Sequence, residues 1–180
     1  MRPEEVDEAL AFLYWSRDRI VAAAAGLTDA AFCSDTPVAT RSLRGTLVHQ
    51  VECEWAWRIR LLGGAFPDGD VLPGEFASLQ ALMERWRNEE RELRAWVAGL
   101  GEADLAAQPP GQGNPLAMWR YLLYVVNHGL QQFAEAAVLL SQLGHSPGEI
   151  GYLEFCNERA GGGGGASAFR GERGFGRVAQ

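Results

Sequence analysis

The sequence is poor in cysteine. Cys33, Cys53 and Cys156 are an odd number with no pairing pattern. That argues against a disulfide framework and suits a reducing compartment, so a cytoplasmic location is expected. Long hydrophobic runs are missing too: none approaches the length of a membrane span, and no membrane partner is expected. The opening Met1-Arg2-Pro3-Glu4-Glu5 leads straight into an amphipathic pattern, with no visible signal peptide. Positive charge is scarce: 16 Lys and Arg stand against 23 Asp and Glu, a net charge of −7 with His neutral. A nucleic-acid surface needs a basic stripe, so no nucleic-acid partner is expected. Phosphate loop, Rossmann fingerprint and Ser-His-Asp order are likewise absent.

What the chain does have is apolar periodicity. With 47% hydrophobic and 22% charged residues in 180, it has enough material for one domain with a real core. The most apolar stretch runs from Leu116 to Leu143. There Met118, Tyr121, Val125, His128, Gln132, Ala136, Leu139 and Leu143 recur at steps of three and four, the spacing of a helix seam facing a partner helix. Leu122, Val126, Phe133 and Leu140 form a second stripe, so several neighbours should cover this helix. His128 and Gln132 interrupt the seam one turn apart and project from the same side.

Three earlier helices follow from the same rhythm. The first spans about Glu4 to Ala25, with acids in its first turn where the helix dipole favours them. Gly26 ends it, and Thr28-Asp29 caps a short turn through Phe32. Ser34 to Thr40 carries Pro37 and reads as a loop. The second helix spans about Ser42 to Leu62 and stops at Gly63-Gly64. Its apolar stripe is Leu43, Leu47, Val51, Trp55 and Leu62. A flank of Gly45, His49, Glu52, Cys53 and Ala56 is small or polar, suited to a close backbone approach or a pocket. Gly63 to Gly74 can reach roughly 40 Å when extended, enough to run the length of a bundle. The third helix spans about Glu75 to Leu100, with Glu90 as the only charge in its seam.

Gly99 to Leu105 echoes Gly26 to Ala30 and opens a second connection, after which Pro115 begins the last long helix at a position proline tolerates. Gly144 and Pro147 stop it. Glu149 to Arg159 reads as a short closing helix. From Ala160 to Gln180 the chain is Gly- and Arg-rich and too poor in apolar residues to fold. The expected organisation is therefore a bundle over 1–159 and a flexible tail over 160–180.

Three segments carry a resemblance. They are Ser42-Leu43-Arg44-Gly45-Thr46-Leu47-Val48-His49 with Glu54-Trp55, then Val126-Asn127-His128-Gly129, then Leu143-Gly144-His145-Ser146-Pro147. With Tyr14-Trp15-Ser16 on the first helix, their order and spacing resemble the DinB-like (YfiT-like) helical bundles. The resemblance implies an all-α fold, an up-down-down-up four-helix bundle. It also implies a divalent metal (Zn, Ni, Fe or Mn) held between a His of the second helix and a His-x-x-x-His pair of the fourth. Related proteins include bacillithiol S-transferases and mycothiol-dependent maleylpyruvate isomerases, in which the metal is thought to activate a low-molecular-weight thiol. On this reading the protein is a metal-dependent thiol S-transferase or related isomerase. Its partner is a small-molecule thiol, and a homodimer is expected.

His49 and His128 match the first two ligand positions of that pattern. Gln132 stands where the third His belongs. A Gln carbonyl oxygen can bind a metal, but it is neutral and hard, so weaker binding than by three imidazoles is expected. Cys53, one turn from His49, is able to replace the missing ligand. Glu52, Glu90 and Glu135 are the acceptors available by face to orient the imidazoles. The bland readings stand beside these: Glu90 paired with an Arg across the bundle, Glu54, Arg58 and Arg60 on a solvated or salt-bridged face, His145 structural, and the tryptophans in the core. The rival to an enzyme is a metal-free bundle in which His128 and Gln132 form a polar network in a small-molecule pocket, or a dimerising stress-response module. Imidazoles converging on one point about 2 Å from each favour the metal. Imidazoles capped by Glu or Gln favour the network.

Overall fold

A computed structural model describes residues 1–34 and 41–161 of the chain. Among them all regular structure is helical: α1 (Pro3–Ala24), α2 (Asp29–Cys33), α3 (Leu43–Gly63), α4 (Leu79–Ala98), α5 (Glu102–Ala106), α6 (Met118–Gln142) and α7 (Tyr152–Gly161), with a 3₁₀ turn at Pro73–Glu75. The loop expected over Ser34 to Thr40 falls outside the described residues apart from Ser34. So does the expected tail, except that Ala160 and Gly161 still belong to α7.

The four long helices, α1, α3, α4 and α6, form the bundle. Pairs of contacts fix their directions. Gln50 meets His128 while Trp57 meets Tyr121, so α3 and α6 are antiparallel. Glu54 meets Trp86 while Arg58 meets Glu89, so α3 and α4 are parallel. Arg17 meets Glu90 while Asp7 meets Arg94, so α1 and α4 are antiparallel. Gly129 lies against Leu13 and His145 against Gly26, so α1 and α6 are parallel. This is the up-down-down-up order. Parallel α3 and α4 need a long connection, which the residues between Gly63 and Leu79 provide.

The core runs along the bundle axis. Leu10, Leu13, Ile20, Leu47, Val51, Leu82, Trp86, Leu93, Phe133 and Leu140 are all essentially inaccessible to solvent. At about 25 cal/mol per Å² of apolar surface, burying such side chains dominates the stability of the fold. Ser42 starts α3 by accepting a hydrogen bond from the Gly45 amide at 3.0 Å, and the left-handed Gly64 (φ 81°) ends it. Gly64 then lies against Gly111 (φ 67°), where a Cβ would come within 2.6 Å of the Gly64 carbonyl oxygen. The two connecting loops can cross there only because both residues lack a side chain.

Some boundaries differ from the sequence reading. The third long helix begins at Leu79, not Glu75, because Ser78 caps it by accepting from the Ala81 amide at 3.2 Å. The last long helix begins at Met118 rather than Pro115: Ala117 is extended, and the Met118 amide donates to the Ala107 carbonyl at 2.8 Å. The echo between the two connections is structural. Each forms a five-residue helix, and each buries one apolar anchor, Phe32 in α2 and Leu105 in α5. On α3 the buried seam is Leu43, Leu47, Gln50, Glu54 and Leu61, whereas Leu62 is exposed and Trp55 half-buried. Steps of four alone advance about 40° each around a helix. A stripe drawn in fours from Leu43 therefore drifts off the core, and the true seam takes in a Gln and a Glu.

Candidate metal centre

α3 and α6 cross with their polar interruptions facing each other. His49 and Cys53 lie one turn apart on α3, and His128 approaches from α6. Cys53 Sγ is 3.7 Å from His49 Nε2 and 3.8 Å from His128 Nε2. The three ligating atoms all lie within 4.8 Å of one another. The two imidazole rings meet edge to face with centroids 5.2 Å apart. Ideal tetrahedral zinc bonds to nitrogen and sulfur put the donors about 3.5 Å apart, so a small closure would bring all three onto one ion. Two imidazoles and a thiol are a donor set suited to zinc and other thiophilic divalent metals. This group can hold a metal.

The far nitrogens of the two rings have different company. His49 Nδ1 faces Glu52 Oε2 at 3.5 Å, and the other Glu52 oxygen accepts from the Val71 amide at 3.3 Å. His128 Nδ1 is 2.9 Å from Gln50 Oε1. Gln50 Nε2 donates to Glu54 Oε1 at 2.8 Å, and Glu54 also accepts from Tyr14 OH at 3.0 Å and Trp86 Nε1 at 3.1 Å. Gln50 and Glu54 are both wholly buried. α6 comes close enough for this chain because residue 129 is glycine. A Cβ there would lie 2.4 Å from Leu13 Cδ1 and 2.7 Å from Gln50 Nε2.

The electrostatics follow from burial. Burial pushes the Cys53 thiol up to about 11, with the neighbouring Glu52 charge adding to it. Without a cation beside it, Cys53 is therefore a neutral thiol at neutral pH; a bound cation reverses that preference. Burial, helped by His49 and Arg41, lowers the pKa of His128, which favours the neutral ring a metal requires. Glu54 rises to about 7 through burial, held back by its hydrogen bonds to Gln50, Tyr14 and Trp86 and by the Arg17 charge.

The structure brings together two of the three ligands expected from the sequence, His49 and His128. Gln132 sits one turn further along α6, buried, with its Oε1 lacking a hydrogen-bond partner among the described residues. Cys53 is the third side chain that converges with the imidazoles. Of the carboxylates proposed to orient the rings, Glu52 faces His49, while Glu135 is exposed and Glu90 pairs instead with Arg17 at 2.7 Å and Arg94 at 3.0 Å. Glu54 is not on a solvated face; it is the buried end of the chain that reaches His128. Gln50 was missed. Its signal was its place in the seam three residues after Leu47, with Glu54 four further on.

A cavity of about 640 Å³ opens beside His49, lined by Arg41, Ser42, Gly45, Glu52 and Asp70 among others. A second hollow of about 590 Å³, between α1 and α4, is lined by Arg17, Arg87, Glu90 and Arg94 and holds none of the converging ligands. The first cavity has His49, one of the three converging side chains, in its wall. No helix among the described residues is long and apolar enough to cross a membrane. No curated protein matches the chain. Residues 3–161, the whole bundle with its closing helix, match the model of the DinB family, and the chain belongs to that family.

Proposed function

We propose that the protein is a divalent-metal-dependent enzyme of the DinB type that activates a low-molecular-weight thiol for transfer or isomerisation. The observation that carries this reading is the convergence of His49, Cys53 and His128 from two helices, beside a cavity that reaches solvent. His49 and His128 supply neutral nitrogen donors, and Cys53 takes the place the third imidazole would fill. Gln132 contributes a buried carbonyl oxygen, without a protein partner among the described residues, that can accept a hydrogen bond from a ligand or serve as a further metal ligand. Three protein ligands leave a position open for substrate, the usual catalytic arrangement. When bound, a divalent ion supplies Lewis acidity that makes a thiol or water a nucleophile near neutral pH. The chain itself holds the donors, admits the thiol past His49 and shields the reacting centre with the packed faces of α3 and α6.

The metal-free polar network has one observation in its favour, the Gln50 bond to His128. That bond engages Nδ1 and leaves Nε2 facing Cys53, so it supports a ligand role as well as a structural one. Elemental analysis of untagged protein after incubation with zinc tests the reading. Stoichiometric metal is expected in the wild type and is lost in His49→Ala. Cobalt in the same site should give an intense thiolate charge-transfer band that disappears in Cys53→Ser. A wild type that stays empty overturns the proposed chemistry, and an unchanged cobalt spectrum in Cys53→Ser removes Cys53 from the ligand set.

A further inference from the structure

We infer that Glu54 and Gln50 are positioning residues that fix the tautomer of His128, so that its Nε2 carries a lone pair toward Cys53 and His49. The direction of each hydrogen bond follows from chemistry. The indole of Trp86 can only donate, and it lies 3.1 Å from both Glu54 oxygens. At about pH 8 the Glu54 carboxyl, raised to about 7, is ionised and can only accept, so Tyr14 OH and Gln50 must present their hydrogens to it. That settles which way the Gln50 amide points: its NH₂ faces Glu54 and its carbonyl faces His128 Nδ1 at 2.9 Å. An imidazole nitrogen facing a carbonyl must carry the proton. The proton then sits on Nδ1, and Nε2, 3.8 Å from Cys53 Sγ, is the bare nitrogen.

Packing keeps the chain in this state. Gln50, Glu54 and Trp86 are wholly buried and Tyr14 nearly so, which denies water the chance to reverse the pattern. Gly129 leaves the space for the Gln50 amide beside α6. The carboxylate thus acts on His128 from across two hydrogen bonds without touching any ligand. A Gln at position 54 has both a donor and an acceptor end. It can keep Trp86 and Tyr14 on its oxygen while donating to the Gln50 carbonyl. Gln50 would then turn its NH₂ to His128 Nδ1, and the ring proton would move to Nε2, where a ligand needs a lone pair.

The consequence for metal binding rests on the function proposed above; the tautomer does not. Heteronuclear NMR of the ring nitrogens in metal-free protein, at about pH 8 where an ordinary imidazole is neutral, reads the tautomer directly. The expected result is an Nδ1–H ring at His128 in the wild type and a shift toward Nε2–H in Glu54→Gln. Gln50→Leu, which removes the acceptor, should also lose the wild-type preference. Zinc affinity should fall roughly 10–100-fold in Glu54→Gln. A wild-type ring protonated on Nε2 overturns the inference whether or not the variants fold. A folded Glu54→Gln protein with the wild-type tautomer overturns it too. The expected tautomers in a protein that binds no zinc would support the positioning chain and sink the metal reading instead.

Discussion

Among the described residues two glutamates are completely buried, and they are kept there by opposite means. Glu89 on α4 faces a cation: both of its oxygens meet the guanidinium of Arg58, one at 2.9 Å. Glu54 on α3 has only neutral donors at hydrogen-bonding distance, from Tyr14, Gln50 and Trp86. A planar guanidinium satisfies a carboxylate in both charge and geometry, so the Glu89 pair is closed on itself and joins two helices. Neutral donors satisfy geometry without cancelling charge, so burial drives the Glu54 carboxyl up to about 7. The same neutral donors make Glu54 a source of hydrogen-bond direction, which Gln50 passes on to His128. One buried carboxylate is a clamp, and the other is wired to the candidate site.

The contrast can be broken at its strongest point first. Glu89→Ala strands the Arg58 guanidinium, which is only 11% exposed, and should cost about 3–5 kcal/mol in urea denaturation. A loss under 1 kcal/mol would mean the pair is no clamp. Next comes pH. Folding raises the Glu54 pKa from 4.5 to about 7, so between those values the native chain binds more protons than the unfolded one. Stability should therefore fall as pH rises through that window, by roughly 3 kcal/mol, and level off above it. Glu54→Gln should remove this component. His128, with its lowered pKa, works in the other direction, because the buried native ring binds fewer protons than the unfolded one.

A smaller effect is expected where α6 approaches the network. Gly129→Ala puts a methyl group 2.4 Å from Leu13 Cδ1 and 2.7 Å from Gln50 Nε2, and should destabilise the fold by about 1–3 kcal/mol. Thermal unfolding reads this loss; an unchanged midpoint would show that α6 can retreat without cost. Least of all should change at Arg94, which is one-third exposed and shared between Glu90 and Asp7. Arg94→Met should move stability by about 1 kcal/mol or less, since the pair is only part-buried and Arg17 still holds Glu90. A large loss there would erase the distinction between paired charges at the surface and the clamp inside.

The architecture was legible before any coordinates. The long connection after Gly63 agreed with two neighbouring helices running parallel, and Ser42, Gly64 and Thr28 marked real helix ends. His49 and His128 stood out as polar breaks in apolar patterns, and they do meet. That Glu90 pairs with an Arg across the bundle was also readable, because a lone charge in an apolar seam needs a counter-ion; the structure identifies that partner as Arg17. Glu54 was misread: grouped with Arg58 and Arg60 on a solvated or salt-bridged face, it is wholly buried. In the structure Arg58 turns to Glu89 instead.

Sequence alone determined the number of long helices, their approximate ends and which two of them carry imidazoles. Each of those facts is local: apolar spacing, capping residues and glycine stops act within one turn of the chain. The tertiary structure alone decided that Cys53 joins the two rings, that Gln50 and Glu54 are inside, and which way their hydrogen bonds run. Those outcomes depend on donors that Tyr14, Trp86 and His128 bring from three other helices. No periodicity within α3 records them, because a hydrogen bond needs a partner and the partner's position is a property of packing.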